Sequence, residues 1–163
     1  MINRTLRTSA ALGALLALVA AGCATGKSQM ASSDPIADRQ RVMKNQGANW
    51  ADIQAKVKAN NIEGIAVNAE NLALSAKQIT ALFPEGVTGK TAAKPEIWQK
   101  WSEFEAAAKN LETRSAELRD AVRAKDGDKV QAIVKDFGRN ACGTCHTPFR
   151  VPPPPAAPAQ PAR

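Results

Sequence analysis

The residues best equipped for chemistry in this chain lie within five consecutive positions. Cys142, Gly143, Thr144, Cys145 and His146 read C-x-x-C-H. On a helix, residues three and four apart are neighbours, so the two thiols and the imidazole share one face. That pattern suits covalent attachment of one c-type haem. The thiols bond the two vinyl groups along one side of the porphyrin, and the imidazole beside them donates to the iron.

The same spacing has other readings, which the rest of the chain does not support. A thioredoxin-like thiol pair sits beside a βαβ unit, and no stretch here reads as one. A structural zinc site takes four Cys or His ligands. The chain has three Cys and a single His, and Cys23 lies far off in an N-terminal apolar segment. A disulfide across two intervening residues is strained. No cluster elsewhere combines a base with a nucleophile, so the chain is not expected to be an enzyme.

The elements that must position the motif are helical. Asp34-Pro35 is a start signal, with Asp as N-cap and Pro at the first helical position. Ile36, Met43, Trp50 and Val57 then recur every seven residues, with Ile53 between them, and Asn60-Asn61 breaks the run. A second stripe runs Ile62, Ile65, Ala69, Leu72, Ala76, Ile79, Phe83 and is stopped by Pro84, because the residue before proline disfavours helix. Residues 84–94 read as the longest loop. A third helix is expected from Pro95 as N1, with Ile97, Trp101, Phe104, Ala108, Leu111, Ser115, Leu118 and Val122 alternating four and three without a slip. After an Asp126-Gly127-Asp128 turn and cap, the fourth carries Val130, Ile133, Val134, Phe137 and Ala141 into Cys142, with Pro148 near its end. Four amphipathic helices and no convincing strand predict an all-α, antiparallel four-helix bundle with covalent haem c.

The flanks read differently. Residues 1–22 have a short basic start and a small apolar run from Ala10 to Ala21, the layout of a secretory signal. The run ends in Val19-Ala20-Ala21-Gly22-Cys23, similar to a lipobox, which makes Cys23 a candidate for lipidation and membrane tethering. Residues 23–33 read as a linker, and 151–163, with six Pro, as an extended tail unable to join a helix or sheet ladder. The expected location is the bacterial periplasm. The formal charge of +7 is spread along the chain without a basic block, so nucleic acid is not an expected partner.

A helical bundle with C-x-x-C-H in its last helix resembles the class II cytochromes c, the cytochrome c′ and cytochrome c-556 family. The likeness spans about 34–150 and includes the ending C-G-T-C-H-T-P-F-R, with Pro148 as a departure, the Leu82-Phe83-Pro84 stop and the Lys94-Pro95-Glu96-Ile97-Trp98 start. The family has two branches. In one the sixth iron position is open and apolar and small gases bind. In the other a Met of the first helix fills it and the protein carries electrons. The run Arg41-Val42-Met43-Lys44-Asn45-Gln46-Gly47 is similar to the c-556 ligand segment. The resemblance therefore implies His146 and Met43 as axial ligands of a one-electron carrier, with nitric oxide or carbon monoxide binding as the alternative. Met43 filling the core is the plainer reading of a Met on an apolar stripe. Arg39, Arg41 and Arg150 are candidate partners for haem propionates, because Arg pairs bidentately with carboxylates. Redox proteins are the expected partners, and family members often pair through their helices.

Overall fold

The computed structural model describes residues 34–87 and 89–154. The signal segment, Cys23, the linker and tail residues 155–163 lie outside the described residues. Six α-helices follow in order: α1 Pro35–Lys58, α2 Ile65–Ala76, α3 Glu96–Gln99, α4 Trp101–Arg123, α5 Gly127–Phe137 and α6 Gly143–Phe149. They form the four rods of a bundle: α1, α2, α3 with α4, and α5 with α6.

The caps are those the sequence predicts. The Asp34 carboxylate accepts from the N–H groups of Ile36 and Ala37 at 3.0 and 2.9 Å, and Asp126 accepts from Lys129 N–H at 3.0 Å. These bonds satisfy amides that a helix start leaves without partners. Helix α1 ends as Asn60 turns left-handed at φ 55°, a conformation Asn tolerates better than most residues.

Three rods differ from the uninterrupted helices expected. The second stops being α-helical at Ala76 and continues through i−3 bonds, Ile79 to Ala76 and Phe83 to Thr80, around a 3₁₀ turn at Thr80–Leu82. Ile79 and Phe83 remain buried, because a three-residue spacing keeps the same face through the tighter turn. The third breaks at Lys100 (φ −124°, ψ 47°), and Pro95 stands before its first helical residue, not at N1. Trp98, in the short α3, donates its indole N–H to the Phe83 carbonyl at 3.1 Å. That bond ties α3 to the end of the second rod while α4 runs on separately.

The fourth rod contains a π turn, Gly138–Cys142, directly before α6. Its widened ring closes with the Gly143 N–H on the Gly138 carbonyl. Phe137, Ala141, Cys145 and Phe149 are spaced by four. In an unbroken α-helix each such step drifts about 40° around the axis. The π turn takes up part of that drift, and Ala141 and Phe149 are both buried.

The core is formed by Ile53, Leu72, Leu118, Val130 and Phe137 with their neighbours. Trp50 stacks on Phe137 with ring centroids 4.9 Å apart. Ala69, Ala73 and Ala76 are buried on α2 where it packs on α4. The α1–α2 seam is polar. Asn68 donates to Asn49 and Asp52 at 3.1 and 3.0 Å, and Lys56 donates to Asn68 at 2.6 Å.

The start of the Pro-rich segment does pair with the body, contrary to the expectation for 151–163. Val151 N–H donates to the Ala92 carbonyl at 2.8 Å and Lys94 N–H to Phe149 at 3.0 Å. These bonds form an isolated antiparallel bridge between Ala93 and Arg150. Val151 still has its N–H; proline, which lacks one, begins only at Pro152.

Candidate haem site

One large cavity, about 630 Å³, opens between α1, the 91–93 loop and α6. Its walls bring together both ends of the sequence argument. Helix α1 supplies Arg39, Met43 and Trp50; α6 and the residues at its two ends supply Cys142, Cys145, His146 and Arg150. The α1 stripe is thereby explained: Ile36, Met43 and Trp50 are only half-buried and line the cavity, whereas Ile53 on the same helix is fully buried.

The roof of the cavity depends on a close approach. Gly89 (φ +150°) lies where a Cβ would come 2.7 Å from Ile36 Cδ1. Thr91, Ala92 and Ala93 follow and line the cavity. Their pairing with residues 149–151 holds them against α6.

Cys142 and Cys145 are free thiols, half-buried. Burial pushes both pKa values up, and Cys145, also facing Cys142, is pushed to about 11. Both are therefore protonated at neutral pH, unlike reactive redox cysteines, whose pKa values are lowered. His146 keeps surface exposed at the cavity, yet enough protein surrounds it that desolvation, aided by the Arg150 charge, lowers its pKa. The neutral imidazole, the form that ligates iron, is favoured.

Arg39 is 4% exposed. Its Nε donates to the Leu82 carbonyl at 2.5 Å, and its guanidinium lies 4.3 Å from the Phe83 ring centre. Both of its Nη atoms are buried without a hydrogen-bond partner among the described residues. Burial lowers its pKa, opposed by Asp34. A buried cation with spare donors in a cavity wall is costly unless an anion meets it. Arg39, Lys44 and Arg150 line the cavity, and no Asp or Glu is among the residues that do. Arg41 stands apart. It is exposed, pairs with Asp38 on its own helix and is absent from the cavity wall, because two residues along α1 from Arg39 is about 200° around the axis.

Three neighbours of the site gave no local signal in the sequence. Gln40 and the 91–93 loop reach the cavity only through tertiary packing. Asn110, on α4, donates to the Asn140 carbonyl within the π turn.

The cytochrome c′ family profile matches residues 34–150. The chain belongs to that family. It is 32% identical over 117 residues to a cytochrome c′ of Pararhodospirillum photometricum, covering 69% of this chain and 92% of the relative. It is 30% identical over 136 residues to a cytochrome c-556 of Agrobacterium fabrum, covering 80% and 89%. Among solved structures it is similar to a variant of the Alcaligenes xylosoxidans cytochrome c prime in complex with nitric oxide. That match has a TM-score of 0.65 and 26% identity and covers 74% of this chain and 95% of that one.

Proteins of the family bind one covalent haem c, and the residues here fit it. The cavity presents two thiols and an imidazole from one segment, an apolar lining and three cations for a dianionic group, one of them Arg39 with its unpartnered donors.

Proposed function

We propose that this protein is a one-electron carrier in which His146 and Met43 are the axial ligands. The observation that supports this reading is that Met43, on α1, and His146, on α6, line the same cavity as Cys142 and Cys145. Bound there, the haem supplies a one-electron iron couple. Cys142 and Cys145 would anchor it, and the His146 imidazole and Met43 thioether would hold its iron. A thioether ligand favours the ferrous state and raises the potential. Arg39 and Arg150 are the residues suited to the propionates; Arg41, held by Asp38, is not. The role is transfer between redox proteins, not turnover of a substrate.

The signal-like N-terminus supports a periplasmic location, with Cys23 as a lipid tether. Val67 and Leu74, both exposed on α2, support pairing of two copies. Sedimentation of a Val67→Lys variant as a monomer alongside a dimeric parent tests that pairing.

One observation favours a second reading, a five-coordinate gas-binding protein: the similar solved structure is a nitric oxide complex. The visible spectrum of the holoprotein, oxidised, reduced and treated with carbon monoxide, separates the two. A low-spin spectrum insensitive to carbon monoxide is expected. A high-spin spectrum with rapid carbon monoxide binding overturns the carrier reading in favour of the second.

A further inference from the structure

Helix α1 forms one wall of the haem cavity and packs along α2 and the 3₁₀ turn that follows it. Side-chain bonds to that neighbouring rod flank Met43. Four residues before it, Arg39 donates to the Leu82 carbonyl. Three residues after it, Gln46 donates its side-chain N–H to the Ser75 hydroxyl on α2 at 3.0 Å. Between those two points the polar side chains of Arg41 and Asn45 bond within α1 itself.

Ser75 fixes which way the Gln46 amide faces. Its own proton goes to the Leu72 carbonyl at 3.0 Å. The hydroxyl oxygen is left to accept, so the amide nitrogen of Gln46, not the oxygen, must meet it. Both side chains are half-buried. Gln46 lines the haem cavity and Ser75 does not. The residue after Gln46 is Gly47, also in the cavity wall. A glycine inside a helix gives it the least resistance to local opening. The bond to Ser75 therefore ties α1 down where the helix itself is weakest.

We infer that Gln46, held by Ser75, is a positioning residue for Met43. It pins the Met43–Gly47 turn of α1 to α2, and the thioether leaves the iron only when that turn lifts and the Gln46–Ser75 bond breaks. Residues 43 and 46 are neighbours on one helix face, so a movement that frees one carries the other. The inference rests on the His146 and Met43 ligation proposed above.

Titration of the oxidised holoprotein with cyanide tests it. Cyanide takes the sixth position only in molecules whose thioether has left, so its apparent affinity reads the open fraction. Loss of the thioether-to-iron charge-transfer band reports the exchange. Gln46→Ala and Ser75→Ala are each expected to raise the affinity about two- to tenfold, the worth of one hydrogen bond. The double variant should exceed neither single one, since both remove the same bond. Ser75→Thr keeps the hydroxyl and should match the parent. Arg119→Met breaks an ion pair to Glu70 between α4 and α2 and controls for general loosening; it should also match the parent. Parent-like affinity in both alanine variants overturns the inference and means that the thioether leaves by rotating its own side chain. Effects that multiply in the double variant overturn it too, as does an equal rise in Arg119→Met. A parent without the charge-transfer band overturns the ligation reading and this inference with it. A parent that has the band, with variants unchanged, overturns the inference alone.

Discussion

The side-chain amide of Asn110 donates to the backbone carbonyl of Asn140 at 2.5 Å and joins the middle of α4 to the π turn that ends at Cys142. Thr144 adds a bond from its hydroxyl to the Ala141 carbonyl at 2.7 Å. A π turn is a rare distortion that concentrates at functional sites. Here it follows a helix packed into the core, ends on Cys142 and leads into α6, which carries Cys145 and His146. Asn110 thereby bonds the turn that carries Cys142 to another rod.

Asn110→Ala is expected to loosen that turn. The bond is exposed, so water takes the place of the lost donor and the cost is the net worth of one hydrogen bond, about 0.5–1.5 kcal/mol. The variant should unfold at lower denaturant, and the Gly143 amide, bonded to Gly138 in the π ring, should exchange about tenfold faster for each 1.4 kcal/mol lost locally. Unchanged exchange at Gly143 would show that the turn holds without Asn110.

With Met43 as the proposed iron ligand, Met43→Ala is expected to give a high-spin haem that binds carbon monoxide quickly where the parent is low-spin and insensitive to it, and to lower the reduction potential, because a thioether favours ferrous iron. Met43 is only half-buried, so the loss of stability from core packing should fall at the low end of the 2–5 kcal/mol usual for Met→Ala. Spectra that match the parent would leave Met43 as a cavity-filling side chain.

Arg39→Met removes a buried positive charge from the cavity wall. The oxidised haem carries one more positive charge than the reduced form, so losing a nearby cation, and freeing the carboxylate it would pair, stabilises the oxidised state. The potential should fall, with about 59 mV for each tenfold change in the one-electron equilibrium. Arg41→Met should leave it nearly unchanged, since Arg41 faces Asp38 and not the cavity. Redox titration of the two variants side by side checks both expectations.

Asp52 pairs with Lys56 at 2.8 Å and accepts from Asn68 at 3.0 Å. These bonds, Lys56 first and then Asn68, hold its carboxyl below the ordinary value. A carboxylate depressed in the folded state contributes stability that is fully present above its unfolded pKa, about 3.9. That contribution is lost as pH falls through the lower folded value. Asp52→Asn should therefore destabilise the protein at neutral pH, and its deficit should narrow as pH drops below about 3.9. Denaturant midpoints measured at both ends of that range check the sign.

Much of the fold and the centre of the site are legible in the sequence alone. The haem motif is local, because covalent attachment requires two thiols and an imidazole within one turn and a half. Caps at Asp34 and Asp126 are local for the same reason: a side chain bonds amides two or three residues away. Stripes at intervals of three and four name the buried faces, and even where α2 gives way to a 3₁₀ turn the stripe still identifies Ile79 and Phe83 as core.

Only the tertiary structure decided the rest. Periodicity cannot reveal a break that preserves the face, so the Lys100 kink and the π turn at Gly138–Cys142 pass unseen in a stripe without a slip. Composition cannot separate Arg39 from Arg41, two residues apart on one helix; one is buried in the cavity wall and the other is paired outside it. That choice depends on which side of α1 faces the bundle. The meeting of Met43 with His146, more than a hundred residues later, and the closure of the 91–93 loop against Arg150 likewise depend on contacts between rods. Sequence specifies what each helix must bury, and packing decides which side chains are left facing the space between them.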